Sequence, residues 1–215
     1  MANELLTNAL NGIPGYTTPS VKDKIIYHTF KSLEVYDGDP VLWNNLGACY
    51  LMLGANPDSA IYCFTRAISL MPAYPMAHFN MGRAYEFKKD TSKAIDYYLK
   101  AIALDSQLLQ PYLFLMPLLY ARARTDSLMK YATIATNKFP HVEFFHAALG
   151  NAFALRNDTA GALSHFEKAF TINPANQKIF EHLYRLYTAF GMKNKADSLY
   201  KVHLSAITKK SKNFK

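Results

Sequence analysis

Several side chains capable of chemistry occur in this sequence, but their spacing does not assemble a catalytic or metal-binding site. The nine glycines never form the G-x-G of a phosphate-binding loop, and neither C-x-x-C nor H-E-x-x-H occurs. His141 and His146 are five residues apart, so they do not share a helical face. Glu143 and Glu181 fall in different segments, and no serine stands in a nucleophile-elbow motif. The sequence therefore predicts that the chain is not an enzyme and uses no metal or cofactor.

A different set of residues recurs with a regular period and predicts an architecture. The clearest copy runs from Trp43 to Pro72 and reads W-x-x-L-G-x-x-Y, then A-x-x-x-F-x-x-A, then proline. Weaker copies follow at intervals of about 34 residues. The signature residues are Trp43, Leu46, Gly47, Tyr50, Ala60, Phe64, Ala67 and Pro72; Met81, Gly82, Tyr85, Ala94, Tyr98 and Ala101; Leu115, Met116, Leu119, Leu128, Ala132, Ala135 and Pro140; Leu149, Gly150, Phe153, Ala162, Phe166, Ala169 and Pro174; and Leu183, Tyr184, Tyr187, Ala196, Tyr200 and His203.

The spacing within each copy predicts two helices joined by a turn. Leu46 and Tyr50 are four residues apart, so they lie on one helical face. Gly47, Gly82 and Gly150 fall inside helices, where glycine costs about 1 kcal/mol relative to alanine. Because this cost is repeated at one register, we expect the two helices of a pair to approach closely there. The facing register holds small residues: Ala60, Ala94, Ala162 and Ala196.

These copies resemble the tetratricopeptide-repeat family over roughly residues 40–209. The resemblance implies an all-α fold, a right-handed α-solenoid (superhelix) of helix-turn-helix pairs that stack to build one continuous core. We expect an N-terminal arm, or a short helix with a linker, at residues 1–19, a solenoid at 20–209 and a basic tail at 210–215. The expected parts of the solenoid are a half repeat at 20–37 and full repeats at 40–74, 75–108, 109–142, 143–176 and 177–209.

The resemblance also implies that the first helices line a concave face that binds a partner. Counted from the Trp43 register, the candidate binding residues are Asn44, Asn45, Phe79, Asn80, Arg83, Glu86, Leu113, Tyr120, Phe144, Asn151, Glu181 and Arg185. An apolar middle flanked by arginines favours an amphipathic helix or an extended apolar segment with one or two acids. Neither alignment of the repeats supplies the Lys and Asn clamp with which some family members hold a terminal carboxylate.

Asparagine recurs on this predicted face. Asn45 and Asn80 share one register, and Asn151 takes another. Since an amide both donates and accepts hydrogen bonds, a ladder of asparagines would suit the backbone of an extended peptide. The alternative is that asparagine is simply frequent in these helices.

Pro117 lies inside the first helix of the third repeat, which the pattern places at Leu113 to Tyr120. Proline removes one backbone hydrogen bond and should kink the helix. A kink here would change the curvature of the groove. The alternative is that a degenerate repeat tolerates the proline.

The net charge of +8 is concentrated toward the C terminus. From Gly191 onward the sequence holds seven lysines against one acid, Asp197. A solvated cap on the last repeat explains this excess, and attraction to an anionic membrane surface is the alternative. Because the tail lacks arginine, it does not fit a nucleic-acid-binding segment.

The cysteine content and the apolar runs bear on compartment. Cys49 and Cys63 fall in the two helices of one repeat, as reduced core thiols or as a disulfide. No apolar run reaches the roughly 18 residues of a membrane span, and the first residues lack the features of a secretory signal. We expect a cytoplasmic location if the chain is complete as given, and export if it is a domain of a longer protein.

Together these features predict a protein-protein interaction adaptor or scaffold that binds a peptide or helical segment of a partner protein in the concave groove. A self-associating structural subunit is a second interpretation, in which residues 1–19 could also fold into the groove. A third is an accessory domain of a larger exported or membrane-anchored protein such as a glycosyltransferase.

Overall fold

The computed structural model describes residues 19–52 and 56–212, which are α-helical without any β-strand. The eleven helices of that part are α1 Pro19–Val35, α2 Pro40–Met52, α3 Pro57–Leu70, α4 Pro75–Phe87, α5 Thr91–Leu104, α6 Leu109–Ala121, α7 Thr125–Lys138, α8 Glu143–Leu155, α9 Thr159–Ile172, α10 Gln177–Ala189 and α11 Lys193–Lys212. The all-α prediction is confirmed. The short helix predicted in the N-terminal arm lies outside the described residues.

Local sequence determines where the second helix of a pair begins. Asn56, Asp90 and Asp158 stand at one register, immediately before α3, α5 and α9. Each side chain accepts a hydrogen bond of 2.9–3.1 Å from the backbone N–H three residues later, which satisfies a donor that the helix itself leaves free. Arg124 occupies this register before α7 and makes no such bond, in line with the degenerate third repeat.

The turn inside a pair requires one residue with a left-handed backbone. Lys89, Ala123, Asn157 and Gly191 recur at the repeat spacing and have φ angles of 60°, 49°, 58° and 66°. Glycine adopts this conformation at the least cost, yet it stands at one of these four positions. The turn geometry therefore repeats along the chain, although no repeated glycine in the sequence indicates it.

Glycine inside the first helix of a pair makes room for an aromatic ring of the second helix. A Cβ added at Gly47 would come within 2.5 Å of the Phe64 ring, and one at Gly82 within 2.6 Å of the Tyr98 ring. Both rings are fully buried. The close approach predicted from the repeated glycines is confirmed, and its physical cause is an aromatic ring seated on bare backbone.

The chain divides into two compact units between Pro111 and Tyr112. In the first unit, Phe64 packs against residues of its own pair and against Met81 and Ala84 of the next pair. An adjoining cluster of the same unit contains Leu33, Trp43, Leu46, Cys63, Ala67 and Ala77. Neighbouring pairs therefore share apolar core, as expected for stacked repeats.

The second unit builds its core around Phe166 of α9. A Cβ added at Gly150 of α8 would lie 3.2 Å from this ring. The contact between glycine and ring is therefore looser here than at Gly47 and Gly82 of the first unit. Phe166 also packs with residues of α10, the first helix of the following pair: Ile179, Phe180 and Leu183. The stacking principle is thus the same in both units.

Helix α6 accommodates Pro117 without ending. It runs from Leu109 to Ala121, so it begins earlier than the predicted Leu113. Because proline has no N–H, the carbonyl of Leu113 lacks its usual helical donor one turn later. The predicted effect of Pro117 on groove curvature stays a prediction.

Candidate functional site

On α2 and α4, the predicted asparagines bind one another. Asn80 Nδ2 donates to Asn44 Oδ1 over 2.9 Å, and Asn44 Nδ2 donates to Asn45 Oδ1 over 3.4 Å. Asn44 and Asn80 are 5% and 9% exposed. A buried amide needs a hydrogen-bond partner, and Asn44 and Asn80 are partners of each other. Their hydrogen bond therefore links two successive helix pairs of the first unit. Their predicted contact with the backbone of a bound peptide stays a prediction.

Phe79 and Glu86 of α4 are engaged within their own helix pair. Phe79 is 4% exposed, with its ring centroid 5.8 Å from that of Tyr98 on α5. The Tyr98 hydroxyl donates a hydrogen bond to Glu86 Oε2. Burial raises the pKa of Tyr98 and this hydrogen bond raises it further, while the charge of Arg83 acts in the opposite direction. Both predicted residues therefore hold α4 to α5, beside a half-buried Arg83.

On α6 and α8, an open apolar pocket occupies the predicted binding face. Three predicted residues, Tyr120, Phe144 and Asn151, line a cavity of about 210 Å³. The other lining residues are Met116, Pro117, Leu128, Ala147 and Ala148. Tyr120 is 48% exposed, whereas Phe144 and Asn151 are half-buried. The pocket therefore combines apolar walls with one amide and one phenol, and no charged side chain lines it.

Small side chains on α8 open this pocket. In the repeat register, Ala147 and Ala148 correspond to Phe79 and Asn80 of α4. A benzyl group and an amide fill that space in the first unit, whereas two methyl groups leave it empty in the second. The smaller side-chain volume at these two positions leaves room for the pocket.

The remaining predicted residues do not line the pocket. Leu113 is half-buried on α6. Glu181 and Arg185 are exposed on α10, and Glu181 Oε1 accepts a hydrogen bond of 2.9 Å from Gln177 Nε2. The structure therefore gathers Tyr120, Phe144 and Asn151 and leaves these three apart from them.

Sequence reasoning missed Met116, Leu128 and Ala148 as pocket residues. Met116 and Leu128 are 1% exposed, so they form the floor of the pocket and carry a core pattern in the sequence. The detectable signal was the alanine pair at 147–148, where α4 carries phenylalanine and asparagine.

A ring stack holds α8 to α9 in the same unit. The rings of His146 and His165 stack with centroids 5.8 Å apart, and His165 stacks on Phe153 at 5.3 Å. Burial lowers the pKa of both histidines, and the charge of Lys168 lowers it further. A metal ion lies in the plane of each imidazole that binds it, so stacked rings do not chelate one. The stack is therefore a structural contact that favours neutral histidine.

Both cysteines of the chain lie in the first unit, on α2 and α3. Cys49 and Cys63 are buried and unbonded. Burial raises the pKa of each thiol to about 12, so both stay protonated and unreactive in the folded protein. They act as small core residues.

Two further properties concern the described part of the chain. Residues 19–52 and 56–212 contain no group of three or more His, Cys, Asp or Glu side chains that could hold a metal ion. Nor does any helix within those ranges combine the length and apolar character needed to cross a bilayer.

Comparison with known proteins identifies the repeat and the fold. A family model described as "Tetratricopeptide repeat" matches residues 75–108, which contain α4 and α5. No curated protein sequence matches the chain. Among solved structures, the C-terminal part of a TPR repeat-containing protein from Cytophaga hutchinsonii is 19% identical, with a TM-score of 0.74 over 96% of this chain and 78% of its own.

Two other solved structures share the fold at similarly low sequence identity. YrrB, titled "a TPR protein with an unusual peptide-binding site", is 17% identical, with a TM-score of 0.68 over 83% of this chain and 91% of its own. MamA is 21% identical, with a TM-score of 0.65 over 71% of this chain and 89% of its own. The family model therefore identifies residues 75–108 as a tetratricopeptide repeat, and the solved structures share the helical-repeat fold of this chain.

Proposed function

We propose that the chain is a non-enzymatic interaction scaffold whose second unit binds a peptide segment of a partner protein in the α6–α8 pocket. The pocket itself is the observation that carries the proposal. It is an open cavity of about 210 Å³, lined mostly by apolar side chains, and three of its lining residues belong to the predicted binding face. Binding sites of folded proteins combine such an apolar cavity with a few polar groups.

The composition of the pocket defines the ligand that fits it. Met116, Phe144 and Ala147 offer apolar walls, so the anchor is a bulky apolar side chain such as leucine or phenylalanine. Full burial of such a side chain contributes roughly 1.5–3 kcal/mol. Because the pocket has no charged lining, we expect no acidic or basic anchor.

Polar groups at the rim suit the backbone of the peptide. Asn151 lines the pocket, and its amide can donate to and accept from a peptide bond. The Tyr120 phenol, which also lines the pocket, is a second group that can both donate and accept. A protein of this fold described as having a peptide-binding site supports a peptide as the ligand class.

Selection from a peptide library tests the proposal directly. A phage-displayed library of random peptides is selected on the 215-residue chain and counter-selected on the Ala147→Phe variant. This variant reproduces at α8 the phenylalanine that α4 carries as Phe79, so it fills the pocket with a side chain the repeat accommodates. We expect enriched peptides to share one apolar anchor and to lose at least about tenfold in affinity for Ala147→Phe.

Calorimetry with one selected peptide then compares three proteins. Ala160→Phe, an equal change at an exposed alanine of α9, is the matched control and should bind as the unmodified chain does. Unfolding curves establish that both variants fold. Peptides that bind Ala147→Phe as tightly as the unmodified chain would show that the pocket is not the binding site.

A further inference from the structure

An apolar stripe on α11 forms a surface made of different residues from the pocket. Tyr200, Leu204 and Ile207 are four and three residues apart, so they share one helical face. Their exposed fractions are 53%, 49% and 39%. Contiguous exposed apolar side chains mark interaction sites more often than scattered ones do.

The repeat register shows what covers this stripe elsewhere in the chain. Tyr200 and Leu204 correspond to Phe166 and Phe170 of α9, which are 3% and 7% exposed. Those two side chains pack against the following helix α10 through Ile179, Phe180 and Leu183. The stripe is therefore the position at which this protein receives another helix, one with apolar residues on a single edge.

Tyr184 keeps the stripe open from within the last pair. It stands at the register where Gly47, Gly82 and Gly150 leave room for an aromatic ring. With a tyrosine in that place, the Tyr200 ring has no bare backbone to rest on and stays half exposed. Tyr184 and Tyr200 line one cleft of about 300 Å³, so the two rings extend the apolar surface.

Lysines accompany the stripe and define the charge of its partner. Lys193 is seven residues before Tyr200 and shares its face, and Lys201 lines the cleft with Asp197. From Gly191 onward the chain has seven lysines and one acid. A symmetric contact with a second copy would oppose these lysines to themselves, whereas an acidic partner complements them.

We propose that the stripe docks an amphipathic α-helix of a partner protein, with an apolar edge flanked by aspartate or glutamate. The docked helix takes the place that α10 takes against Phe166 and Phe170. Its acidic flank faces Lys193 and Lys201.

The test uses two synthetic fluorescent helical peptides that differ in charge. Both repeat the apolar spacing of Ile179, Phe180 and Leu183, and one carries glutamates along its flank where the other carries lysines. Fluorescence anisotropy is measured with the unmodified chain and with Leu204→Glu. We expect the glutamate probe to bind at least about tenfold more tightly than the lysine probe, and Leu204→Glu to weaken it about tenfold.

Two further variants separate this surface from the rest of the molecule. Val202→Glu is the matched control, because Val202 is 47% exposed on the same helix but two residues away, on another face. It should bind the glutamate probe as the unmodified chain does. Ala147→Phe, which fills the pocket, should also bind it unchanged, so the two proposals succeed or fail separately.

Several outcomes would overturn the proposal. They are absence of glutamate-probe binding, equal binding of both probes, and equal weakening by Leu204→Glu and Val202→Glu. A dimer detected by light scattering that Leu204→Glu dissociates would assign the stripe to a second copy instead. Circular dichroism confirms that each variant keeps its helices, since both changed side chains are largely exposed.

Discussion

Helices α4 and α8 occupy the same place in their repeats but present opposite kinds of face. On α4, Phe79 and Asn80 are buried, and Asn80 is bonded to Asn44. On α8, Ala147 and Ala148 stand at those positions and border an open cavity. Large side chains thus stand at these two positions where the face is closed, and small ones where a cavity is open.

The two faces therefore have different roles in this chain. Phe79 contributes to the core of the first unit, whereas Phe144 lines a cavity of the second and is half-buried. A substitution on the closed face should change stability. A substitution on the open face should change binding, and the following experiments test that distinction.

Phe79→Ala should give the largest effect. Removal of a buried phenyl ring leaves a cavity beside Tyr98, so we expect a loss of about 3–5 kcal/mol in the free energy of unfolding, measured by urea titration. The thiols of Cys49 and Cys63, buried in the same unit, should then react faster with a thiol reagent. Phe144→Ala is the control and should cost less than half as much, because Phe144 is partly exposed. Equal losses would remove the distinction between the two faces.

Alanine in place of the three glycines that contact an aromatic ring should lower stability by different amounts. Gly47→Ala and Gly82→Ala place a Cβ within 2.6 Å of a buried ring, so we expect each to cost about 1–3 kcal/mol. Gly150→Ala meets its ring at 3.2 Å, and the gain of about 1 kcal/mol in helix propensity offsets that contact. Thermal melting of the three variants measures the order. A Gly150→Ala variant as unstable as Gly82→Ala would contradict it.

The smallest expected effect is on the pH dependence of the second unit. The pKa values of His146 and His165 lie below their usual 6.5 in the folded protein, chiefly because of burial. The unfolded chain therefore takes up protons at a higher pH than the folded one, and stability falls as pH drops below about 6.5. His165→Phe keeps a ring against Phe153 and should reduce this loss, measured by urea titration at pH 7.5 and 5.5.

A second titrating group of this unit acts at lower pH and serves as a reference. Hydrogen bonds from Tyr187 and Lys195 lower the pKa of Glu167 below its usual 4.5. Its stabilising contribution is thus present above about pH 4.5 and is lost as pH falls through the folded value. An unchanged difference between pH 7.5 and 5.5 in His165→Phe would show that the histidine stack is not the source of the higher window.

Much of the fold could be predicted because its determinants are local. Leu46 and Tyr50 share a helical face through their spacing alone, and Asp90 caps α5 three residues away. The repetition of Gly82 at one register predicted a close approach of two helices, since a repeated unfavourable residue needs a compensating contact, and the structure shows that this contact is the Tyr98 ring. The left-handed turn residues were not predicted, because Lys89 and Ala123 stand where such a turn favours glycine.

The candidate site was predictable only as a face. The repeat register placed Tyr120, Phe144 and Asn151 on the first helices, and the structure brings these three into one cavity. The same register placed Asn44 and Asn80 there as well. These two residues are 36 apart in sequence, and their side chains form a hydrogen bond with each other that joins two helices. Nothing in the spacing distinguishes the two outcomes, because each depends on the volume that opposing side chains leave.

The sequence by itself determined the period, the helices, their caps and the glycines at which two helices approach closely. Each of these follows from residues within one or two helical turns or from their repetition along the chain. Tertiary structure alone decided which face is closed, which is open, and that Tyr200 is left half exposed in a cleft with Tyr184. Those results depend on distances between helices distant in sequence, and a difference of one side chain in volume changes them.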